Sequence, residues 1–157
     1  MMTERWENES LEHLVNRRLE YLHKQLPDTI ASYMDMKLIE CDEDRNEYVF
    51  LGTPSPWMIN FNGTLHGGMG ATFVDQAMGH LAFCLKPGPG ICPTVDMNVK
   101  YHRPLMVNDD IIMRVHLVSR TRTLMHLACE AYQACAPDKI CISSTGTYYY
   151  KADGKHL

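Results

Sequence analysis

NGTLHGGMGATFVDQAMG, residues 62–79, sets Gly67, Gly68, Gly70 and Ala71 at the start of a strongly apolar segment. From residue 66 to 85 the apolar positions are Met69, Phe73, Val74, Ala77, Met78, Leu81, Ala82 and Leu85. They fall almost all round a 3.6-residue period, which predicts a buried helix rather than a half-exposed one. Lys86-Pro87-Gly88-Pro89-Gly90 is a breaker cluster that ends it. Glycine inside a helix costs about 1 kcal/mol relative to alanine, so this clustering needs an offset. One is close approach of a sheet to the helix backbone. The other is a set of bare amides: the first turn of a helix has N–H groups without intrahelical partners, and with the helix dipole they suit an anion or a developing oxyanion. Gly67 stands where such an amide points outward. A nucleotide loop does not fit, since neither G-x-x-x-x-G-K-[ST] nor a strand-borne G-x-G-x-x-G is present.

On either side of this helix the period changes. Downstream, Val95, Met97, Val99 and Tyr101 alternate with Asp96, Asn98 and Lys100. Residues 110–119, 123–134 and 139–150 repeat the two-residue period, with turn-forming segments between them, and read as antiparallel neighbours. Upstream, 35–42 and 46–53 read as two strands around Asp42-Glu43-Asp44, a solvated hairpin tip. Residues 5–26 carry Leu11, Leu14, Val15, Leu19, Leu22 and Leu26 at helical spacing, and residues 28–34 leave room for one more turn. Helix, two strands, buried helix, four strands is an α+β order. It predicts a sheet curled around the central helix.

A chain of 157 residues is expected to be one domain with a core of its own. The formal net charge of −4 and the lack of a basic run argue against nucleic acid as partner. No apolar run reaches the roughly 18 residues of a membrane span. The N-terminus MMTERWENE does not read as a secretory leader. Cys41, Cys84, Cys92, Cys129, Cys135 and Cys141 fit no zinc spacing. Buried, reduced thiols in a cytoplasmic protein are the expectation.

Asp75 lies among apolar neighbours in the central helix. A carboxylate there is either paired, on a narrow exposed stripe with Gln76, or functional. It follows His66 by nine positions, roughly 13–14 Å along the axis and about half a turn round. The Asp75 carboxylate and the Gly67 amide of one chain therefore cannot meet at one substrate atom. A site that uses both is built across a two-fold axis, two per dimer.

Asn60, Gly63, Thr64, Leu65, His66, Gly67, Gly68, Ala71, Thr72 and Asp75, written N-x-x-G-T-L-H-G-G-x-x-A-T-x-x-D, resemble the signature of hotdog-fold acyl-CoA thioesterases of the PaaI-like branch. Thr94-Val95-Asp96-Met97-Asn98-Val99-Lys100-Tyr101, the Arg103-Pro104 turn and Gly146-Thr147-Tyr148-Tyr149-Tyr150 extend the resemblance over residues 35–150. It implies a hotdog domain at 35–157 behind an N-terminal helical extension at 1–34. It also implies a homodimer with a continuous sheet, often paired into a tetramer, and hydrolysis of an acyl-CoA thioester without cofactor or metal. The implied roles are residue by residue. Asp75 is the carboxylate base or nucleophile, and the Gly67 amide of the facing subunit is the oxyanion donor. Asn60 orients the water or carbonyl, and Thr94 positions the water beside Asp75. His66 tunes the loop or caps the helix, and Gly68 belongs to the substrate-binding turn.

Such an oxyanion donor is worth on the order of 10²–10³ in rate, and the apolar neighbours Phe73, Val74, Ala77 and Met78 are expected to surround Asp75. Lys100, His102, Arg103, Arg120 and Arg122 are the basic residues at strand ends and turns that coenzyme A phosphates would meet. Each is singly an ordinary surface charge. The first helix either covers the acyl pocket or joins an oligomer contact, and Trp57-Met58-Ile59 reads as core. A non-catalytic acyl-CoA-binding module of the same fold is the alternative, and Asp75 argues against it. A hotdog dehydratase needs a different motif order, and a zinc site on His116 and His126 has no complementary ligands.

Overall fold

The computed structural model describes residues 9–86 and 90–152. Helix α1 spans Leu11–Gln25 and starts where the Ser10 side chain accepts from the His13 amide. Its buried residues, Leu11, Leu14, Val15 and Leu19, recur at three- and four-residue spacing; the proposed start of this helix at residues 5–8 lies outside the described residues. The expected extra turn is α2, Ile30–Tyr33. Strands β1 (Lys37–Asp42) and β2 (Glu47–Gly52) form a hairpin. Its acidic tip is exposed and held by Asp42, whose Oδ1 accepts from the Arg45 amide, with Asn46 at φ 55°.

A 3-10 turn at Pro56–Met58 leads to the central helix α3, Gly67–Cys84. After it come β3 (Gly90–Ile91), β4 (Thr94–Tyr101), β5 (Ile111–Arg120), β6 (Leu124–Gln133), β7 (Ile140–Tyr149) and β8 (Lys151–Ala152). Residues 87–89 of the breaker cluster lie outside the described residues.

The six long strands make one antiparallel sheet in the order β1-β2-β5-β6-β7-β4. Its strands β4 to β7 pack on α3. Phe73, Val74, Ala77, Met78 and Leu81 are wholly buried against a sheet face that carries Phe50, Met113 and Met125. The two-residue period is visible in burial. Ile111, Met113, Val115 and Leu117 of β5 face in, as do Met125, Leu127, Cys129 and Ala131 of β6. α1 adds its own apolar stripe to the same core. This is the hotdog arrangement.

Two expectations need correction. The last four long strands are not a simple run of neighbours: β4 pairs with β7, and β5 pairs with β2 and β6. The connection over residues 102–110 is long enough to cross the width of two intervening strands, about 14 Å at 4.8 Å per strand. It passes the start of α3, where the Leu105 carbonyl accepts from the Leu65 amide at 2.7 Å. Within Trp57-Met58-Ile59 only Met58 is core; Trp57 and Ile59 are about half exposed, because the 3-10 turn points successive side chains in different directions.

The crossover leaves β4 on the edge of the sheet. This eight-residue strand has Val95 and Tyr101 more than half exposed. Among the described residues no helix is long and apolar enough to cross a membrane.

Candidate active site

The entrance of α3 is built by its loop. Asn60 organises residues 60–65: its Oδ1 accepts from the Asn62 and Thr64 amides, and its Nδ2 donates to Thr64 Oγ1 at 2.9 Å. Gly63 sits at φ +79°, a conformation that favours glycine. His66 is the N-cap, and its Nδ1 accepts from the Gly68 amide at 3.0 Å. The His66 carbonyl takes the Met69 and Gly70 amides at 2.8 and 3.0 Å. Among the first-turn amides this leaves the exposed Gly67 N–H without an acceptor in the described residues. Tyr101 fixes the Gly67 peptide from the other side, its hydroxyl donating to the Gly67 carbonyl at 2.7 Å.

The glycines divide by cause. A Cβ on Gly70 would come within 2.8 Å of Ile142 Cδ1, so that position answers to close packing on β7. A Cβ on Gly67 would meet only the Tyr101 ring, at an ordinary 3.7 Å.

Asp75 is half-buried on a stripe with Thr72, Gln76 and Gly79. Its expected apolar neighbours Phe73, Val74, Ala77 and Met78 turn the other way, into the core. What meets the carboxylate is polar: Thr94 Oγ1 donates to Oδ1 at 2.8 Å, and the Tyr148 hydroxyl donates to the same oxygen at 2.9 Å. Burial, then the Asp75 charge and the hydrogen bond to it, push the Tyr148 phenol far above its ordinary range, so it stays a donor. Both donors hold one oxygen; Oδ2 accepts from none of the described residues.

The two halves open into different cavities. Asn60, His66, Gly67 and Arg103 line one of about 350 Å³. Asp75, Thr94, Arg18 and His80 line a cleft of about 670 Å³. Within one chain the structure therefore keeps Gly67 and Asp75 apart, while it joins Thr94 to Asp75, and His66 and Asn60 to Gly67. The basic residues split as well. Arg103 lines the Gly67 cavity, its Nη1 donating to the Ile140 carbonyl, and Lys100 is exposed on β4. Arg120 and Arg122 are exposed at the β5–β6 turn, at the far end of α3, where Lys86 Nζ donates to the Thr121 carbonyl.

Residues 62–134 match the family description "Thioesterase superfamily". That match takes in just under half of the chain. Human acyl-coenzyme A thioesterase 13 is 39% identical over 66 residues, which take in 41% of this chain and 46% of that protein. The matched segment thus spans about half the length of this relative. In structure the chain is similar to mouse thioesterase superfamily member 2, with a TM-score of 0.70, 20% identity, and 90% and 98% of the two chains covered. It is also similar to a Streptococcus mutans protein solved with acetyl-CoA, with a TM-score of 0.63, 15% identity, and 76% and 91% covered. At these identities the structural likeness speaks to the fold.

Four further residues take their place at the two half-sites only through the fold. Tyr148 and Tyr101 are aromatic residues in strands, where packing is the ordinary role. Arg18 reads as one more charge on α1, and His80 as one more position on the apolar helix. Cys92 also lines the Asp75 cleft, but burial pushes its thiol up to about 11, which disfavours a thiolate nucleophile. Among the described residues no group of three or more His, Cys, Asp or Glu is arranged to hold a metal ion.

Proposed function

We propose that the protein is an acyl-CoA thioesterase acting as a homodimer, or a dimer of dimers, with each active site built from two subunits. The observation that carries this reading is the pair of half-sites on α3. One end presents the Gly67 amide, which meets no acceptor among the described residues; the face beyond it presents Asp75 with one oxygen held by Thr94 and Tyr148. Each half lacks what the other supplies. Two antiparallel α3 helices related by a two-fold axis would bring one subunit's Asp75 to the partner's Gly67. The edge position of β4 supports pairing with a second copy, which would continue the sheet and cover its exposed main-chain groups.

In this reading the thioester carbonyl oxygen lies against the Gly67 N–H of one subunit. Asp75 of the other takes a proton from water through Oδ2 as the water oxygen attacks the carbonyl carbon. The Gly67 amide stabilises the oxyanion that forms. Collapse of that intermediate breaks the C–S bond, and the coenzyme A thiolate leaves and is protonated. Thr94 and Tyr148 hold the carboxylate in place, and this reading gives Thr94 the further role of positioning the attacking water. His66 holds the turn by capping. Asn60 orients water or carbonyl only if it exchanges one of its bonds within the loop; otherwise it shapes the Gly67 cavity. Arg103, which lines the Gly67 cavity, is the basic residue this reading assigns first to the coenzyme A phosphates, with Lys100 and the Gly68 turn as further contacts.

The test is complementation. Asp75→Asn and Gly67→Pro are each expected to abolish most thiol release from an acyl-CoA panel. When the two variants are co-expressed, a mixed dimer has one site with both lesions and one with neither. Activity should return to about half the wild-type value per mixed dimer, a statistical estimate for two independent sites. Continued inactivity of purified mixed dimers would overturn the shared site. Full activity of Asp75→Asn alone would overturn the enzyme reading as stated.

A further inference from the structure

Beyond Asp75 the large cleft continues along α3 to a cation. Asp75, Gln76, Gly79, His80 and Phe83 lie on one strip of the helix and all line the cleft. Asp75 to Phe83 is eight residues, about 12 Å along the axis. At the far end stands Arg18, delivered by α1. Its guanidinium carbon lies 3.5 Å from the centroid of the Phe83 ring, and its Nε makes a long contact of 3.5 Å with His80 Nδ1.

This arrangement is unusual for a stabilising contact. Arg18 is largely buried, and burial lowers its pKa. A buried guanidinium ordinarily has a carboxylate partner. Among the described residues none forms an ion pair with Arg18. Its one polar contact among the described residues is a neutral ring: His80 is 6% exposed, and burial, then the Arg18 charge, lower its pKa to about 3. With Nδ1 facing the Arg18 N–H, the His80 proton sits on Nε2, and that buried atom has no hydrogen-bond partner in the described residues. The guanidinium has five N–H donors, and among the described residues only Nε–H meets an acceptor. A carboxylate is the group that a planar guanidinium of this kind binds best, through two parallel bonds.

We propose that Arg18 is a specificity residue, and that the cleft takes acyl groups ending in a carboxylate, the half-thioesters of dicarboxylic acids. The inference rests on the thioesterase reading above, since it places the thioester carbon at Asp75 and the distal carboxylate at Arg18. Phe83 supports the flat face of the guanidinium, and His80 sets its orientation as a positioning residue.

The experiment compares adipyl-CoA with hexanoyl-CoA, and suberyl-CoA with octanoyl-CoA, on the full chain. Wild type should show at least tenfold higher kcat/KM for the carboxylate-terminated member of one pair. Arg18→Met keeps the stem and should remove that preference while leaving kcat/KM for the methyl-terminated member within about threefold. Calorimetric binding of the same pairs to Asp75→Asn, with and without Arg18→Met, gives a readout that does not need turnover. A tenfold binding preference that disappears with Arg18→Met upholds the subsite even if no thioester is cleaved, in which case only the hydrolase reading fails. Equal handling of each pair by wild type overturns the proposal. So does an equal loss for both members in Arg18→Met, whether by misfolding or by a structural role, unless Arg18→Lys restores stability together with the carboxylate preference.

Discussion

Thr94 and Tyr148 are register partners across β4 and β7, and both donate to the same oxygen of Asp75, at 2.8 and 2.9 Å. Residues directly opposite on antiparallel strands send their side chains to the same face. One register pair therefore grips one carboxylate oxygen of the helix beneath. Tyr148 also reaches the Asp75 carbonyl at 3.2 Å, which ties the helix backbone to the sheet at the same point.

Removing one of these donors should loosen the carboxylate without unfolding the chain. Tyr148→Phe keeps the ring that packs on Gly79 and Gly146 and deletes only the hydroxyl. A lost hydrogen bond to a charged group is worth about 1.5–3 kcal/mol, so kcat should fall about 10- to 100-fold with KM little changed. Thr94→Val should act in the same direction. Because the two share one acceptor, the double variant should depart from the product of the single effects. Steady-state kinetics on the four proteins checks this, and wild-type kcat in Tyr148→Phe would count against Oδ1 anchoring.

The Gly67 amide can be removed with little damage to the helix. Position 67 is the first residue of α3, where proline is well tolerated because that N–H has no intrahelical partner. His66 is at φ −61°, ψ 133°, the extended conformation that a residue before proline prefers. Gly67→Pro should leave the circular dichroism spectrum and melting temperature close to wild type. Thiol release should fall on the order of 10²–10³-fold. Retained activity in a folded Gly67→Pro protein would remove the oxyanion role.

The two rationales for the glycines separate by substitution. Gly67→Ala has ordinary contact distance to Tyr101 and should be within about 0.5 kcal/mol of wild type in urea unfolding. Gly70→Val drives carbon into Ile142 at the α3–β7 contact and should destabilise by about 1–3 kcal/mol. The opposite ranking would mean that packing does not explain Gly70.

His80 predicts a pH dependence of stability. Its ordinary pKa of 6.5 applies to the unfolded chain, and burial lowers the folded value to about 3. The unfolded state therefore binds a proton that the folded state refuses between these values. The stabilisation is fully present above pH 6.5 and is lost as pH falls toward 3. From pH 7 to pH 5 this group alone should remove about 2 kcal/mol. Comparing urea midpoints of wild type and His80→Asn across that range should show a flatter curve in the variant; parallel curves would mean that His80 is reached by protons while folded.

Much of the fold was legible because its signals are local and periodic. The 3.6-residue pattern over 66–85 marked α3 to within a residue at each end, and two-residue alternation placed β5 and β6 almost as closely. The bare Gly67 amide and the distance from Gly67 to Asp75 also follow from the chain alone, since helix geometry is the same in any fold. Strand order was not legible. Nothing in alternation says that β4 passes β5 to lie beside β7, because pairing depends on how the 102–110 connection crosses the helix entrance. The surroundings of Asp75 depart from the sequence expectation for a related reason. Phe73, Val74, Ala77 and Met78 are neighbours in sequence, but the side chains that touch a helical residue from outside come from whatever packs there. That set was decided by register, which brought Thr94 and Tyr148 to one oxygen, and by the docking of α1, which carried Arg18 to His80 and Phe83. Residues within a helical turn of one another are positioned by the backbone, and the sequence suffices for them; residues 19, 62 and 73 positions apart meet only when tertiary packing closes the chain upon itself.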